Sequence, residues 1–179
     1  MTSGPRVGVS ACLLGETVRY DGGHKLDLLV RDALGAHVDF VPVCPEFELG
    51  LGVPREAMRL VGDPEDPRLV TTETGVDLTL RMKAWCAVRV EQLATEGLCG
   101  FVFKAGSPSS GMAQVTVHDA AGRPGRGGSG LFARAFMDRF PDLPVEEEGR
   151  LHDPRRMETF LERVLAVHTP SSMRRTIPS

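Results

Sequence analysis

Two cysteines stand where the pattern of apolar residues predicts that a strand ends. Cys12 closes the run "RVGVSAC" and Cys44 closes the run "VDFVPVC". Thiolates on separate loops at one edge of a sheet can ligate a metal ion or an iron–sulfur cluster. Free cysteines are also among the most buried residue types, and the sequence has no CxxC pair, so spacing alone favours two buried core side chains.

A carboxylate and a serine-rich segment lie near the same predicted edge. Glu46 follows Cys44 by two residues, and Pro45 between them restricts the local backbone. A desolvated glutamate there could act as a general acid or base, although without neighbours a solvated loop glutamate is the more typical interpretation. The segment "GSPSSG", residues 106–111, has successive backbone N–H groups that could form an anion-binding nest. It is not a P-loop, because no Gly-Lys-Ser/Thr follows at the required spacing.

The other residues capable of chemistry have weaker signals. Cys86 lies in the middle of a predicted helix, which indicates a core position. Cys99 begins a predicted strand, so at about 3.3 Å per residue it would lie roughly 15–20 Å from the end that bears the serines. Residues 19–25 surround a Gly-Gly turn with four polar side chains, namely Tyr20, Asp21, His24 and Lys25. His24 is near a predicted helix start, where local hydrogen bonding is more common than catalysis.

The predicted elements explain why three of these segments should meet. Strands are predicted at residues 6–12, 38–44, 99–104 and 113–119, with weaker candidates at 68–75 and 143–148. Helices are predicted at residues 24–34, 77–97, 131–140 and 153–168, and a flexible loop at residues 120–130. Strands alternating with helices indicate an α/β fold, a three-layer α/β/α domain with a mainly parallel, Rossmann-like sheet. Ligands bind at the carboxyl ends of such strands, so the segments after residues 12, 44 and 104 should converge on one crevice.

Composition limits the function classes. The chain has 179 residues, 41% hydrophobic and 25% charged, which fits one globular domain over residues 1–169 with a disordered tail over residues 170–179. The formal net charge of −3 argues against general nucleic-acid binding. No apolar run reaches the roughly 18 residues of a membrane span, and the N-terminus lacks a signal-peptide pattern. We therefore expect a cytoplasmic protein with reduced thiols and no membrane partner.

Four segments resemble, in order along the chain, the bacterial family known as domain of unknown function 523, which includes thiouracil desulfidases. They are "VGVSACLLGETVRYDGGHK", "VPVCPEFELGLGVPREAMRLV", "GFVFKAGSPSSGM" and "GLFARAFMDRFPDLPVEEEGRL". The resemblance implies a compact three-layer α/β fold and a [4Fe-4S] cluster held by three cysteines. It also implies that the open fourth iron takes sulfur from a thiolated pyrimidine such as 2-thiouracil, giving uracil and sulfide.

The resemblance assigns roles by position. It places the first two cluster ligands on Cys12 and Cys44, the acid–base carboxylate on Glu46 and a substrate-handling serine on Ser107. It places the third ligand on Ser110, because this chain reads "SPSSG" where the family has Ser-Pro-Ser-Cys-Gly. A neutral hydroxyl is a poor ligand for iron, so we expect impaired activity. Two explanations are open: the serine is an engineered substitution, or it is natural and the protein holds a labile cluster, another cofactor or none.

Three functions follow as hypotheses. The first is a hydrolytic, cluster-dependent desulfidase that cleaves the C–S bond of a free thiolated pyrimidine. The second is a cluster-free module of the same family that binds a nucleobase or a small anion in the same crevice. The third is desulfidation of thionucleosides in tRNA, which the acidic balance of the chain disfavours.

Overall fold

Eight strands and four α-helices form the part of the chain that the computed structural model describes, residues 3–169. The strands are β1 (Arg6–Ser10), β2 (Asp39–Val43), β3 (Met58–Asp63), β4 (Asp66–Thr71), β5 (Leu98–Phe103), β6 (Val115–His118), β7 (Pro124–Gly128) and β8 (Val145–Glu147). The α-helices are α1 (Pro45–Glu48), α2 (Thr79–Ala94), α3 (Leu131–Arg139) and α4 (Pro154–His168). A π-helical segment covers Leu29–Leu34, and 3₁₀ turns cover Ala11–Leu14 and Arg150–His152. The tail predicted at residues 170–179 lies outside the described residues.

Four parallel strands form the central sheet, in the order β2-β1-β5-β8. Strand β5 is buried along its whole length, so its sequence is a continuous apolar run rather than an alternating one. Phe101 and Phe103 pack with α2 and α3 on one face, whereas Cys99 and Val102 pack with α4 and the π-helical segment on the other. The predicted three-layer α/β fold with a mainly parallel sheet is therefore confirmed.

A second, mixed sheet, in the order β4-β3-β6-β7, was not predicted as a separate layer. The flexible loop predicted at residues 120–130 is wrong, because β7 pairs with β6 inside that range. Glycine lowers strand propensity, which hides this strand in the sequence. In the fold glycine allows a close backbone approach, since a Cβ on Gly127 would lie 2.6 Å from the Cα of Gln114.

The helix predicted at residues 24–34 is wrong in its first half. The backbone N–H groups of Lys25 and Asp27 donate to the carbonyls of Cys12 and Leu13 instead of forming a helical turn. These bonds hold the segment against the loop that carries Cys12. The helices predicted at residues 77–97, 131–140 and 153–168 correspond to α2, α3 and α4. Among the described residues, no helix is long and apolar enough to cross a membrane.

Candidate functional site

Three loops meet at the carboxyl ends of β1, β2 and β5. The 3₁₀ turn after β1 carries Cys12, Cys44 follows β2, and residues 104–113, here called the serine loop, follow β5. They surround a pocket of about 320 Å³, and its lining includes Cys12, Cys44, Glu46, Ser107 and Ser110. The structure thus brings all five residues assigned from the resemblance to one pocket, at the sheet edge that the topology predicts.

Hydrogen bonds to its backbone carbonyl fix the position of Cys12. Its carbonyl accepts hydrogen bonds from the N–H groups of Gly15 and Lys25, which fixes the turn after β1. Burial raises the pKa of the Cys12 thiol, while the positive charges of Arg19 and Lys104 act in the opposite direction. In the absence of a bound cation the thiol is therefore neutral near pH 7.

Cys44 occupies the N-cap position of α1, where its backbone N–H donates to Glu48 at 3.0 Å. Arg89 of α2 lies 2.9 Å from the other oxygen of Glu48, so an ion pair braces this cap. The Cys44 sulfur lies 3.8 Å from Glu46 Oε2 and 3.9 Å from the carbonyl oxygen of Val18. Burial, and then the charge of Glu46, raise the pKa of Cys44 to about 12. A positive ion at the site would favour ionisation of both thiols.

Glu46 is a buried carboxylate with a buried partner. Only 8% of Glu46 is exposed, and the fully buried Ser109 donates its hydroxyl to Glu46 Oε1 at 2.5 Å. The interpretation of Glu46 as a solvated loop glutamate is therefore wrong. Sequence reasoning also missed Ser109, although it lies between Ser107 and Ser110 in the same motif. The pairing joins residues 63 positions apart, so no local pattern could have indicated it.

The serine loop satisfies its own backbone. Ser107 Oγ accepts the N–H groups of Ser109 and Ser110 at 3.3 and 3.1 Å, and the Gly111 N–H donates to the Ser107 carbonyl at 2.7 Å. The anion nest considered for residues 106–111 is therefore wrong for these three N–H groups, because each has an acceptor within the loop. The Ser107 side chain lines the pocket and also closes the turn.

Helix α3 fixes the position of the serine loop. The first N–H groups of a helix have no partner inside the helix. Here those of residues 131–133 donate to the carbonyls of Pro108 and Ser109. This contact requires glycine at position 130, since a Cβ on Gly130 would lie 2.5 Å from the carbonyl carbon of Ser109 and 2.8 Å from the nitrogen of Ser110.

The three positions that the resemblance assigns to cluster ligands carry two thiols, Cys12 and Cys44, and one hydroxyl, Ser110. Ser110 is 4% exposed, lines the pocket and lies with its hydroxyl 3.4 Å from that of Ser109. Within residues 3–169, no group of three His, Cys, Asp or Glu side chains is arranged to hold a metal ion. Cys12 and Cys44 suit the soft ligation of an iron–sulfur cluster, and the Ser110 hydroxyl is the mismatch in the set.

Positive charge surrounds the pocket. Four cationic side chains contribute to its lining, namely Arg19, Lys25, Arg55 and Lys104. Lys104 pairs with Glu148 at 2.6 Å, and Arg55 donates from Nη1 to the Gly52 carbonyl at 2.9 Å. Sequence reasoning did not single out Arg19 or Arg55, because the four cations are dispersed along the chain and form no basic run.

Of the remaining candidates, Tyr20 lines the pocket, whereas Asp21, His24, Cys86 and Cys99 do not. Asp21 accepts the Gly23 N–H and His24 accepts the Leu26 N–H, so both side chains stabilise local turns. Cys86 is a core residue of α2, as predicted, and burial raises the pKa of its thiol to about 12. Cys99 lies at the opposite end of β5 from the serine loop, with its sulfur 3.8 Å from the Gly97 carbonyl oxygen.

Comparison with known proteins identifies the family of the chain. A family model described as 2-thiouracil desulfurase matches residues 7–148. A solved structure, described as a [4Fe-4S]-dependent thiouracil desulfidase, TudS, is 29% identical in sequence and superposes with a TM-score of 0.66. The match covers 87% of this chain and 97% of that one. No curated protein matches the chain.

Proposed function

We propose, from the premise that this chain belongs to the 2-thiouracil desulfurase family, that it removes sulfur from a free thiolated pyrimidine such as 2-thiouracil. The observation that carries this proposal is the buried Glu46–Ser109 pair beside Cys44, in the same pocket as Cys12. A carboxylate held by a hydroxyl and partly removed from water is suited to proton transfer. A base within RNA is a weaker candidate, because the net charge of −3 opposes binding to a polyanion.

Three side chains of the pocket would hold a [4Fe-4S] cluster. Cys12 and Cys44 supply thiolates, and Ser110 stands at the third position. The first two residues fit the cluster well. The hydroxyl fits poorly, since it binds iron strongly only after losing a proton that it holds far more tightly than a thiol does. When bound, an iron with an open position supplies a soft acceptor for sulfur. We therefore propose a labile cluster and an activity below that of a three-thiolate site.

Glu46 carries the proton chemistry in this proposal. The overall reaction exchanges the C=S sulfur of the pyrimidine for the oxygen of one water molecule and releases hydrogen sulfide. Ser109 occupies Glu46 Oε1, which leaves Oε2, the oxygen nearer Cys44, to accept a proton from the attacking water. The same oxygen then returns that proton to the departing sulfur. The second proton of the water leaves the hydroxyl group of the adduct as the C=O bond forms, which accounts for both hydrogens of hydrogen sulfide. Ser109 keeps the carboxylate in one orientation throughout, so its role is to position Glu46.

Anaerobic reconstitution with iron and sulfide tests the proposal. Ser110→Cys is expected to hold more iron and acid-labile sulfide per chain than the unchanged protein, and to release sulfide from 2-thiouracil faster. Ser129→Cys is the matched control, because Ser129 is a partly buried serine that does not line this pocket. A Ser110→Cys protein that holds no more iron than the Ser129→Cys protein would contradict a cluster site at these three positions.

A second candidate function is cluster-free binding of a nucleobase or small anion. Its support is the cationic lining together with the hydroxyl at position 110. Thermal denaturation of the iron-free protein with 2-thiouracil, uracil, nucleotides or phosphate measures this binding directly. Stabilisation without iron supports the second candidate, and an unchanged midpoint with every compound argues against it.

A further inference from the structure

Three consecutive glutamates, Glu146–Glu148, end strand β8 and begin the loop that follows it. Runs of like charge usually form a solvated face. These glutamates are partly covered instead, with side-chain exposures of 15% for Glu146 and 12% for Glu148. Each has a different set of partners, and the partners of Glu147 and Glu148 belong to the serine loop.

Glu148 holds the start of the serine loop with both carboxylate oxygens. Its Oε1 lies 2.6 Å from the Lys104 ammonium, and its Oε2 accepts the Ala105 N–H at 2.8 Å. The Lys104 N–H donates in turn to the Ser10 hydroxyl at 2.9 Å, which joins the loop to the end of β1. The Lys104 ammonium is thereby kept on the pocket wall on the side of Cys12.

Glu147 holds the far end of the same loop. Its carboxylate accepts the Ala113 N–H at 3.2 Å. Strand β8 pairs with β5 in parallel, with Phe103 opposite Glu147, so the acidic run lies beside the point where the loop leaves β5. Glu146 has partners outside the serine loop. It lies 3.9 Å from Arg150 and 3.7 Å from Arg156, and its Oε1 accepts the Glu147 N–H at 3.1 Å.

We propose that Glu147 and Glu148 are positioning residues that clamp the two ends of the serine loop. Through this clamp they hold Ser109 against Glu46 and Lys104 at the pocket wall. The consequence for catalysis rests on the proposed function, whereas the clamp itself depends only on these contacts. Glu148 is the stronger half, because it makes a charge-assisted ion pair and a backbone hydrogen bond with the same carboxylate.

Amide hydrogen exchange, followed by mass spectrometry on the full chain, tests the clamp without any assumption about activity. Glu148→Ala is expected to speed exchange in residues 105–113 by about tenfold or more, the loss expected for a hydrogen bond to a charged group. Glu147→Ala should have a smaller effect, centred on residue 113. Glu148→Gln should be intermediate, since the amide oxygen still accepts the Ala105 N–H but cannot pair with Lys104. Glu146→Ala is the matched control and should leave exchange in the loop unchanged.

Kinetics on the reconstituted protein separate the clamp from general stability. Glu148→Ala should lower kcat for sulfide release from 2-thiouracil by about tenfold with little change in KM, and Glu148→Gln should restore part of it. Unchanged exchange in residues 105–113 of both alanine variants overturns the clamp. Faster exchange with unchanged kcat overturns its role in catalysis. If the unchanged protein releases no sulfide, the proposed function fails, and the exchange experiment still decides the clamp.

Discussion

Two regions of the pocket differ in their hydrogen bonding. One carries the thiols of Cys12 and Cys44, and the other carries the hydroxyls of Ser107 and Ser109. The Cys44 sulfur lies 3.8 Å from Glu46 Oε2 and 3.9 Å from the Val18 carbonyl oxygen, and burial raises the pKa of both Cys12 and Cys44. The hydroxyls of Ser107 and Ser109 instead form a connected network, which begins at the backbone of the loop and ends at Glu46. The thiols therefore have raised pKa values, whereas the hydroxyls of Ser107 and Ser109 are already hydrogen-bonded within the protein.

This difference indicates that the conformation of the serine loop does not depend on which side chain occupies position 110. The serine loop is held by α3, by hydrogen bonds of its own backbone and by Glu147 and Glu148. None of these contacts uses the side chain at position 110. A cysteine at that position would therefore project from a preformed turn. In the proposed cluster site, the mismatch at position 110 is oxygen in place of sulfur.

The largest effect that tests this contrast is on thiol reactivity. In the iron-free protein at pH 8, alkylation of Cys44 should be about a thousandfold slower than that of a free thiol, because a pKa of about 12 leaves very little thiolate. Cys12 should react faster than Cys44, since Arg19 and Lys104 oppose the effect of burial. Iodoacetamide labelling followed by peptide mass spectrometry measures both rates. The urea-unfolded chain is the control, and a free-thiol rate for Cys44 in the folded protein would remove the contrast.

Because the serine loop packs tightly against α3, Gly130→Ala should lower the free energy of unfolding substantially. The added Cβ would meet backbone atoms of Ser109 and Ser110 that cannot move without breaking the contact with α3. We expect the free energy of unfolding to fall by about 2–3 kcal/mol, as for other overpacked sites. Gly149→Ala is the matched control, because a Cβ there has no atom within 4 Å and its φ is −62°. Equal urea midpoints for the two variants would show that the loop yields easily.

The Ser109 hydroxyl connects the serine loop to Glu46, and its removal should have an intermediate effect on the free energy of unfolding. Ser109→Ala leaves the buried Glu46 carboxylate without its donor, which should lower the free energy of unfolding by about 1–3 kcal/mol. In a Glu46→Gln background the same change should cost less, because the charge that needs the donor is gone. Urea unfolding of the four proteins of this cycle gives the coupling energy. Strict additivity would mean that the two residues are not coupled.

The smallest predicted effect is at Glu147, which holds the far end of the serine loop. It is a change in the free energy of unfolding whose sign depends on pH. Burial raises the pKa of Glu147, so the folded protein holds that proton more tightly than the unfolded chain does. The contribution of Glu147 to stability is therefore greatest below its ordinary pKa and is lost as the pH rises through the raised value. Glu147→Gln, which keeps an acceptor for the Ala113 N–H, should stabilise the protein at pH 7 by a few tenths of a kcal/mol after solvent screening.

A paired variant sharpens the test of Glu147. Hydrogen bonds from Thr74 lower the pKa of Glu56, so Glu56→Gln should destabilise the protein at pH 7. The gain from Glu147→Gln should vanish as the pH falls to about 4, where the glutamate is protonated in both states. Thermal unfolding between pH 4 and pH 7 measures the two variants side by side. Shifts of the same sign at pH 7 would contradict the argument.

The sequence by itself determined the central sheet and which loops meet at its edge. Continuous apolar runs define β1, β2 and β5, and parallel topology sends their carboxyl ends, with Cys12, Cys44 and the serine loop, to one side. These signals are readable because hydrophobic periodicity and strand order are local or topological properties. The position of Ser110 within a recognisable motif was available from the sequence for the same reason.

Only the tertiary structure decided which polar groups meet. The Ser109–Glu46 bond and the clamp from Glu148 to Lys104 both depend on side chains that are distant in sequence. Such contacts depend on the register between strands and on how α3 packs against the serine loop, and no periodic pattern encodes either. Burial then changes the chemistry, since Glu46 resembles a loop carboxylate in the sequence and is a covered, hydrogen-bonded one in the fold.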